Sequence, residues 1–141
     1  MTTGLPTRAA LVPDRLDLAF AVFLRLVACL CLVQGILYWI RLIGYYPGDL
    51  YRFDLMPVQW QIAASALAVL FPFAAAGLWM LASWGPVIWF LCAAGEVAMY
   101  AGFPQYFGHS PSAIVAHAIV AAAYCGFRAL LQMRKRPEAV R

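Results

Sequence analysis

The chain has 141 residues, of which 65% are hydrophobic and only 11% charged, and its formal net charge is +4. A soluble domain has about 25% charged residues, and a chain of this length exposes too much surface to hide so many apolar side chains. The composition therefore excludes an ordinary soluble domain and predicts an integral membrane protein.

Four apolar stretches are long enough, or nearly so, to cross the roughly 30 Å hydrocarbon core as α-helices. They lie at about 18–40, 58–81, 86–103 and 112–131. Residues 1–16 contain Gly, Pro and mixed charge and are predicted to form a cytoplasmic tail. We predict a transmembrane domain at 17–131 and a basic cytoplasmic tail at 132–141.

The first span carries two polar residues, Arg25 and Gln34, which are nine positions apart. Nine residues of α-helix rotate the second side chain to the opposite side of the first. Both cannot face the same narrow interior. One polar side of this span, with Gln34 as the candidate, is therefore expected to contact a second copy or another membrane protein.

The second and third spans are joined by a short turn at residues 83–86, which predicts antiparallel neighbours. Pro72 lies inside the second span and removes one backbone hydrogen bond, so a bend is expected there. The third span contains Glu96 and, one turn later, Tyr100. These two side chains fall on one face of the helix.

The fourth span has a polar face and a stripe of small residues. His117 and Tyr124 share one face, and Arg128 continues that face toward the end of the span. Small residues at spacing four allow close helix approach, either inside the bundle or between copies. These helix-packing candidates are Ala118, Ala122 and Gly126.

Lys and Arg are concentrated before the first span and after the fourth. By the positive-inside rule, both termini are predicted to be cytoplasmic. The sequence thus predicts an all-α, four-helix up-down transmembrane bundle, multi-pass in the cell inner membrane. No nucleic-acid partner is expected, because the basic residues do not form an extended face with interleaved aromatic residues.

Two charges interrupt the spans at similar depth: Arg25 and Glu96 lie roughly 12 and 15 Å from the cytoplasmic ends of their helices. A charge at the bilayer centre is costly, so such residues usually pair. We predict an Arg25–Glu96 ion pair that fixes helix packing. The alternatives are a proton or ion relay, and an Arg25 that reaches the interface while Glu96 is protonated.

A polar stripe could also form if the Glu96–Tyr100 face meets the His117–Tyr124 face. That arrangement would resemble a proton path, whereas local hydrogen bonding is the simpler interpretation. The two histidines do not predict haem binding. The four cysteines lack a CxxC spacing and are interpreted as small buried residues. No catalytic residue, metal site or cofactor is predicted, and we do not expect an enzyme.

Three segments carry a family resemblance: residues 41–44 (RLIG), 52–57 (RFDLMP) and 83–89 (SWGPVIW). Through them the whole chain resembles the small, uncharacterised four-span inner-membrane proteins of alphaproteobacteria, a family that implies no activity. Four spans with an Arg in the first and a Glu in the third more distantly resemble the DoxX-like group. Some members of that group are tied to respiratory or redox complexes.

Two functions are consistent with these features. The one that they favour is a non-enzymatic accessory or scaffold component that packs in a larger membrane complex. The alternative is a small proton-coupled carrier or channel with Glu96 as the titrating intramembrane carboxylate. The expected partners are the lipid bilayer and either further copies of the chain or a larger complex.

Overall fold

The computed structural model describes residues 14–138, with side chains described to residue 135. The described part contains helices and no strands: α1 (Arg15–Ile43), α2 (Val58–Trp79), α3 (Gly85–Val97), α4 (Pro104–Phe107) and α5 (Pro111–Glu138). A 3-10 turn lies at Asp49–Tyr51, and a π-helical turn, Ala98–Gly102, continues α3. Residues 1–13 and 139–141, in the two predicted tails, lie outside the described residues.

Four helices are long and apolar enough to cross a membrane, which confirms the predicted number of spans. They are Arg15–Ile43, Val58–Trp79, Gly85–Gly102 and Pro111–Lys135. The third reaches this length because the π-helical turn extends α3. The chain is therefore all-helical in its described part and has the character of a multi-pass membrane protein.

Helix α1 begins and ends where its sequence provides caps. The Asp14 carboxylate accepts a hydrogen bond from the Arg15 backbone N–H at 2.7 Å, and Asp17 adds negative charge to the first turn. At the other end Gly44 adopts φ +75°, and its N–H reaches the Ile40 carbonyl. Glycine suits this left-handed position because it has no Cβ.

Helices α1 and α2 approach closely at Gly35, where an added Cβ would lie 2.7 Å from Cδ of Pro72. Pro72 has no N–H, so it cannot bond to the carbonyl four residues earlier, at Ala68. That carbonyl instead accepts a hydrogen bond from Nε1 of Trp39 on α1, at 3.0 Å. A side chain of one helix thus satisfies the backbone group that proline frees in the other.

Trp39→Phe should therefore destabilise the protein more in the natural sequence than in a Pro72→Ala background. In the first case a buried carbonyl loses its donor, a loss of about 1–3 kcal/mol. In the second case the introduced alanine supplies a helical N–H to the same carbonyl. Unfolding in mixed micelles measures both effects, and equal losses in the two backgrounds would contradict this coupling.

The core lies between α1, α2 and α3. All of its buried apolar residues come from these helices, the loop residue Met56 and the π-helical residue Met99. Helices α2 and α3 are joined by a tight turn, where a Cβ added at Gly85 would lie 2.5 Å from the carbonyl carbon of Gly77. The turn can close this tightly because both positions lack a side chain.

Helix α5 packs on the outside of this core, and none of its described residues is buried. Near its carboxyl end, Arg134 forms ion pairs with Asp14 and, at 3.0 Å, with Asp17. Beside these ion pairs, Phe127 packs against Phe20 and Phe23 of α1, and its ring centroid lies 5.7 and 5.3 Å from theirs. We call this part of the protein the Arg134 end, and the opposite part, where α1 ends and α5 begins, the Arg41 end.

Candidate functional site

Among the described residues, Glu96 is the charged one that is buried, with 2% of its surface exposed. Its Oε1 accepts a hydrogen bond from the Tyr38 hydroxyl at 2.5 Å and a longer one from Nε2 of Gln34 at 3.4 Å. Its Oε2 lies 2.6 Å from Nε2 of His117. Three helices, α1, α3 and α5, thus meet at one carboxylate.

Local helix geometry explains this convergence. Gln34 and Tyr38 are one turn apart on α1, so their side chains lie on the same face. Glu96 occupies the last turn of α3, directly before the π-helical turn. Such turns are rare and occur frequently at functional sites. His117 extends from the second turn of α5 and is the polar contact that this half of α5 makes with Glu96.

A buried carboxylate is costly unless its lone pairs are used, and here three side chains supply that compensation. The 2.6 Å separation of Glu96 and His117 is short for a nitrogen–oxygen hydrogen bond and is typical of a charge-assisted one. A carboxylate and an imidazole in contact can pass a proton between them. The pair can also bind one further proton. The arrangement is therefore chemically able to take up and release protons.

A cavity of about 480 Å³ lies in front of this group, between α1 and α5. That volume falls within the range of small-molecule sites. Glu96 lines it together with His117, Tyr38 and Gln34. Its other walls are mainly apolar, from Val27, Leu30, Val33, Leu37, Phe71 and Val120. Several of these α1 side chains are also about half exposed, so the cavity is open along the face between the two helices.

Arg41 lines the same cavity at the Arg41 end. Its guanidinium carbon lies 4.5 Å from the ring centroid of Trp60 and 4.9 Å from that of Tyr51. Ser110 and Ser112, at the start of α5, also line the cavity. The cavity thus has a cationic group at this end, the Glu96–His117 pair one to two turns of α1 away, level with Gln34 and Tyr38, and apolar walls beyond the pair, at Val27 and Leu30.

The predicted Arg25–Glu96 ion pair is wrong. Arg25 is exposed, and its guanidinium carbon lies 5.7 Å from the ring centroid of Trp79 on α2. Glu96 contacts α1 at Gln34 and Tyr38, which lie about 14 and 20 Å further along the helix than Arg25, so the two charges differ in depth, and Arg25 also lies on the exposed side of α1. Gln34, on the opposite side of α1, points inward to Glu96, so its predicted contact with another protein is also corrected.

The other polar candidates divide between the site and its surroundings. Tyr100 lines the cavity, and its hydroxyl lies near that of Tyr38. Tyr124 packs instead among aromatic rings, 5.9 Å from Phe20 and 5.6 Å from Phe90 between centroids. The polar stripe expected on α5 therefore meets α3 at His117 and gives way to aromatic packing two turns later.

The small-residue stripe Ala118, Ala122 and Gly126 faces away from the core. All three residues are exposed, and nothing lies within 4 Å of a Cβ added at Gly126. Packing of this stripe inside a single copy of the chain is thereby excluded. Two of the four cysteines, Cys29 and Cys125, are exposed rather than buried as expected.

Sequence reasoning missed Tyr38 and Arg41. A signal was present, because Gln34, Tyr38 and Arg41 follow one another at spacings of four and three, which mark one helix face. No metal site accompanies them, since within residues 14–135 no three His, Cys, Asp or Glu side chains come together as a metal ion requires.

Comparisons with known proteins place the chain in a family. The model of DUF6163, described as a family of unknown function, matches residues 18–135, which include every residue of the site and all but the first three residues of the four spans. Comparisons with curated proteins and with solved structures gave no match. The chain therefore belongs to the DUF6163 family of unknown function.

Proposed function

We propose that this protein is a small proton-coupled carrier, with Glu96 and His117 as its proton-binding pair. The observation that supports this role is their 2.6 Å contact at the inner wall of an open cavity of about 480 Å³. A pair that served only helix packing would need no cavity in front of it. Ionisable residues inside membrane spans commonly mark proton or substrate pathways.

Protonation of Glu96 would couple proton binding to helix movement. As a carboxylate, Glu96 accepts hydrogen bonds from Tyr38, Gln34 and His117 at once. A carboxylic acid must use one oxygen as a donor and loses the charge that strengthens the His117 contact. A proton that binds to the Glu96 carboxylate therefore weakens the link between α5 and α3.

The attachment of α5 predicts where it would move. The Arg134 end is held by the ion pairs of Arg134 and by the Phe127 contacts. The Arg41 end borders the cavity and is held to Glu96 through His117. Weakening that contact would let α5 pivot about the Arg134 end and widen the cavity.

The direct test of the carrier is proton movement. Liposomes containing the protein should lose an imposed pH gradient faster than empty liposomes when a panel of neutral, cationic and anionic small solutes is supplied. The change should be absent with Glu96→Gln. Equal rates in all three preparations, across the whole panel, would contradict the proposal.

We further propose an up-down arrangement in the inner membrane with both termini cytoplasmic. The uneven distribution of Lys and Arg supports this orientation, since eight of the ten basic residues lie outside the loop at 41–57. Reporter fusions at both termini should read out a cytoplasmic location, and a fusion in the 44–54 loop should read out the opposite side. Termini on different sides would contradict the four-span arrangement.

A second candidate function is that of an accessory component of a larger membrane complex. It is favoured by the outward-facing stripe Ala118, Ala122 and Gly126 on a helix without buried residues. Small residues allow another helix to approach closely. Purification in mild detergent tests it: a partner should co-elute with the natural chain and be lost when Gly126 is replaced by leucine.

A further inference from the structure

We propose that the cavity binds a ligand with a single anionic group, held at Arg41, and an apolar body that extends past Glu96 between α1 and α5. This inference deepens the proposed carrier function, because it assigns a substrate class to the same cavity. It rests on the surroundings of Arg41, on the apolar walls and on the nearby carboxylate of Glu96.

The surroundings of Arg41 suit it to bind an anion. Its guanidinium carbon lies over the rings of Trp60 and Tyr51, and a guanidinium carries five N–H donors that suit an anion. Among the described residues no carboxylate lies within ion-pair distance of it. In the adjoining loop, Asp54 is paired with Arg52 at 2.8 Å.

The aromatic support of Arg41 is fixed by its own contacts. Trp60 is 3% exposed, and its Nε1 donates a hydrogen bond to the Tyr106 carbonyl at 3.1 Å. Phe107 contacts the same indole edge to face, with centroids 5.2 Å apart. An arginine held by a fixed ring loses less freedom on binding, which favours affinity for an anion.

The cavity walls next to Arg41 determine the chemical character of the rest of the ligand. Leu37, Val33 and Phe71 line the cavity on one side and Val120 on the other, so an apolar body fits between the helices. Glu96 lies beside these walls, level with Gln34 and Tyr38, and would repel a second negative charge. The ligand is therefore anionic at one end only, and a proton taken up by Glu96 and His117 would balance that charge during transport.

Two sources offer this chemistry. One is a small soluble organic anion, and the other is the headgroup of an anionic lipid that enters between α1 and α5. Both would place a negative group at Arg41 and apolar atoms along the same walls. The test must therefore measure each source separately.

We would measure benzenesulfonate binding to the full-length protein in phosphatidylcholine nanodiscs, with benzyl alcohol as the uncharged ring control. Benzenesulfonate should bind at least about tenfold more tightly than benzyl alcohol, and Arg41→Gln should remove about that factor. Arg41→Lys should keep part of it, because it retains the charge but not the planar donor edge. Arg25→Gln is the matched control, since Arg25 also contacts a Trp ring but does not line the cavity.

A second arm measures retention of phosphatidylglycerol by native mass spectrometry. Retention that falls with Arg41→Gln but not with Arg25→Gln identifies the lipid headgroup as the source, whereas Arg41-dependent benzenesulfonate binding identifies a soluble anion. No Arg41 dependence in either arm would overturn the proposal. Equal binding of the two ring compounds by the natural protein, with no lipid retention, would overturn it without any variant.

Failure of this inference is distinguishable from failure of the carrier proposal. Glu96→Gln should lose proton movement but keep benzenesulfonate binding, because it removes a nearby negative charge and leaves Arg41 unchanged. Intact Arg41-dependent binding with no proton movement would contradict the carrier alone. Proton movement with cationic or neutral solutes, and no Arg41-dependent binding, would contradict the anion site alone.

Discussion

Glu96→Gln is expected to abolish proton movement while leaving the core of α1, α2 and α3 folded. Glutamine has nearly the shape of glutamate, and its oxygen can still accept from Tyr38, but, like a protonated Glu96, it has no charge to strengthen the His117 contact. It cannot take up a proton. Proton flux into liposomes measures the first effect and circular dichroism during unfolding measures the second.

Two control variants make this result specific. Glu96→Leu should lower folded yield as well, because it strands the Tyr38, Gln34 and His117 groups that now bond to the carboxylate, at about 1–3 kcal/mol for each buried group. Asp54→Asn changes an exposed carboxylate in the loop and should affect neither readout. Proton movement that survives in Glu96→Gln would remove Glu96 from the mechanism.

Gly85→Leu is expected to cause the largest loss of folded protein. A Cβ alone would lie 2.5 Å from the carbonyl carbon of Gly77 and 2.6 Å from the Leu78 nitrogen. Both are backbone atoms, so no side chain can move aside. Overpacking of this kind costs about 1–3 kcal/mol or more, and the yield of monodisperse protein in detergent should fall sharply.

Gly126→Leu is the matched control, because nothing lies within 4 Å of its added Cβ. The isolated chain should tolerate it. Loss of a co-purifying partner in this variant alone would support the accessory function, since only an external contact is blocked. Equal yields for Gly85→Leu and the natural chain would contradict the close approach of α2 and α3.

The helices themselves could be predicted from the sequence. Long apolar stretches fix the number of spans, and local signals such as Asp14 before α1 mark where helices begin. The third span was harder to predict from the sequence, because α3 is short. Its length is completed by a π-helical turn, for which the sequence around Ala98–Gly102 carries no recognisable pattern.

The partners of the buried charge were not predictable with the same method. Counting residues from the predicted helix ends puts Arg25 and Glu96 at similar depth, but α1 and α3 are offset along their axes, so Glu96 lies level with Gln34 and Tyr38. Rotation relative to a neighbouring helix depends on packing at positions such as Gly35 and Pro72, which no periodicity in the sequence specifies. That rotation turns Gln34 and Tyr38, rather than Arg25, toward Glu96.

The cavity could not be foreseen for a related reason. It exists because α5 is attached mainly at the Arg134 end and stands apart from α1 near Arg41. Apolar composition predicts that a helix crosses the membrane, but it does not predict how tightly that helix packs. His117 could be identified as a polar residue of α5, whereas the open space beside it required the structure.

Release of α5 on protonation of Glu96 can be measured as a change in the distance across the cavity with pH. Spin labels would be placed at Leu37 and Ala116, on opposite cavity walls, and a control pair at Leu18 and Leu130, toward the Arg134 end, in a cysteine-free background. Lowering the pH should widen the Leu37–Ala116 distance and leave the Leu18–Leu130 distance unchanged, whereas with Glu96→Gln the wide distance should be present at every pH. A Leu37–Ala116 distance that does not respond to pH, or equal widening of both pairs, would contradict protonation of Glu96 as the event that releases α5.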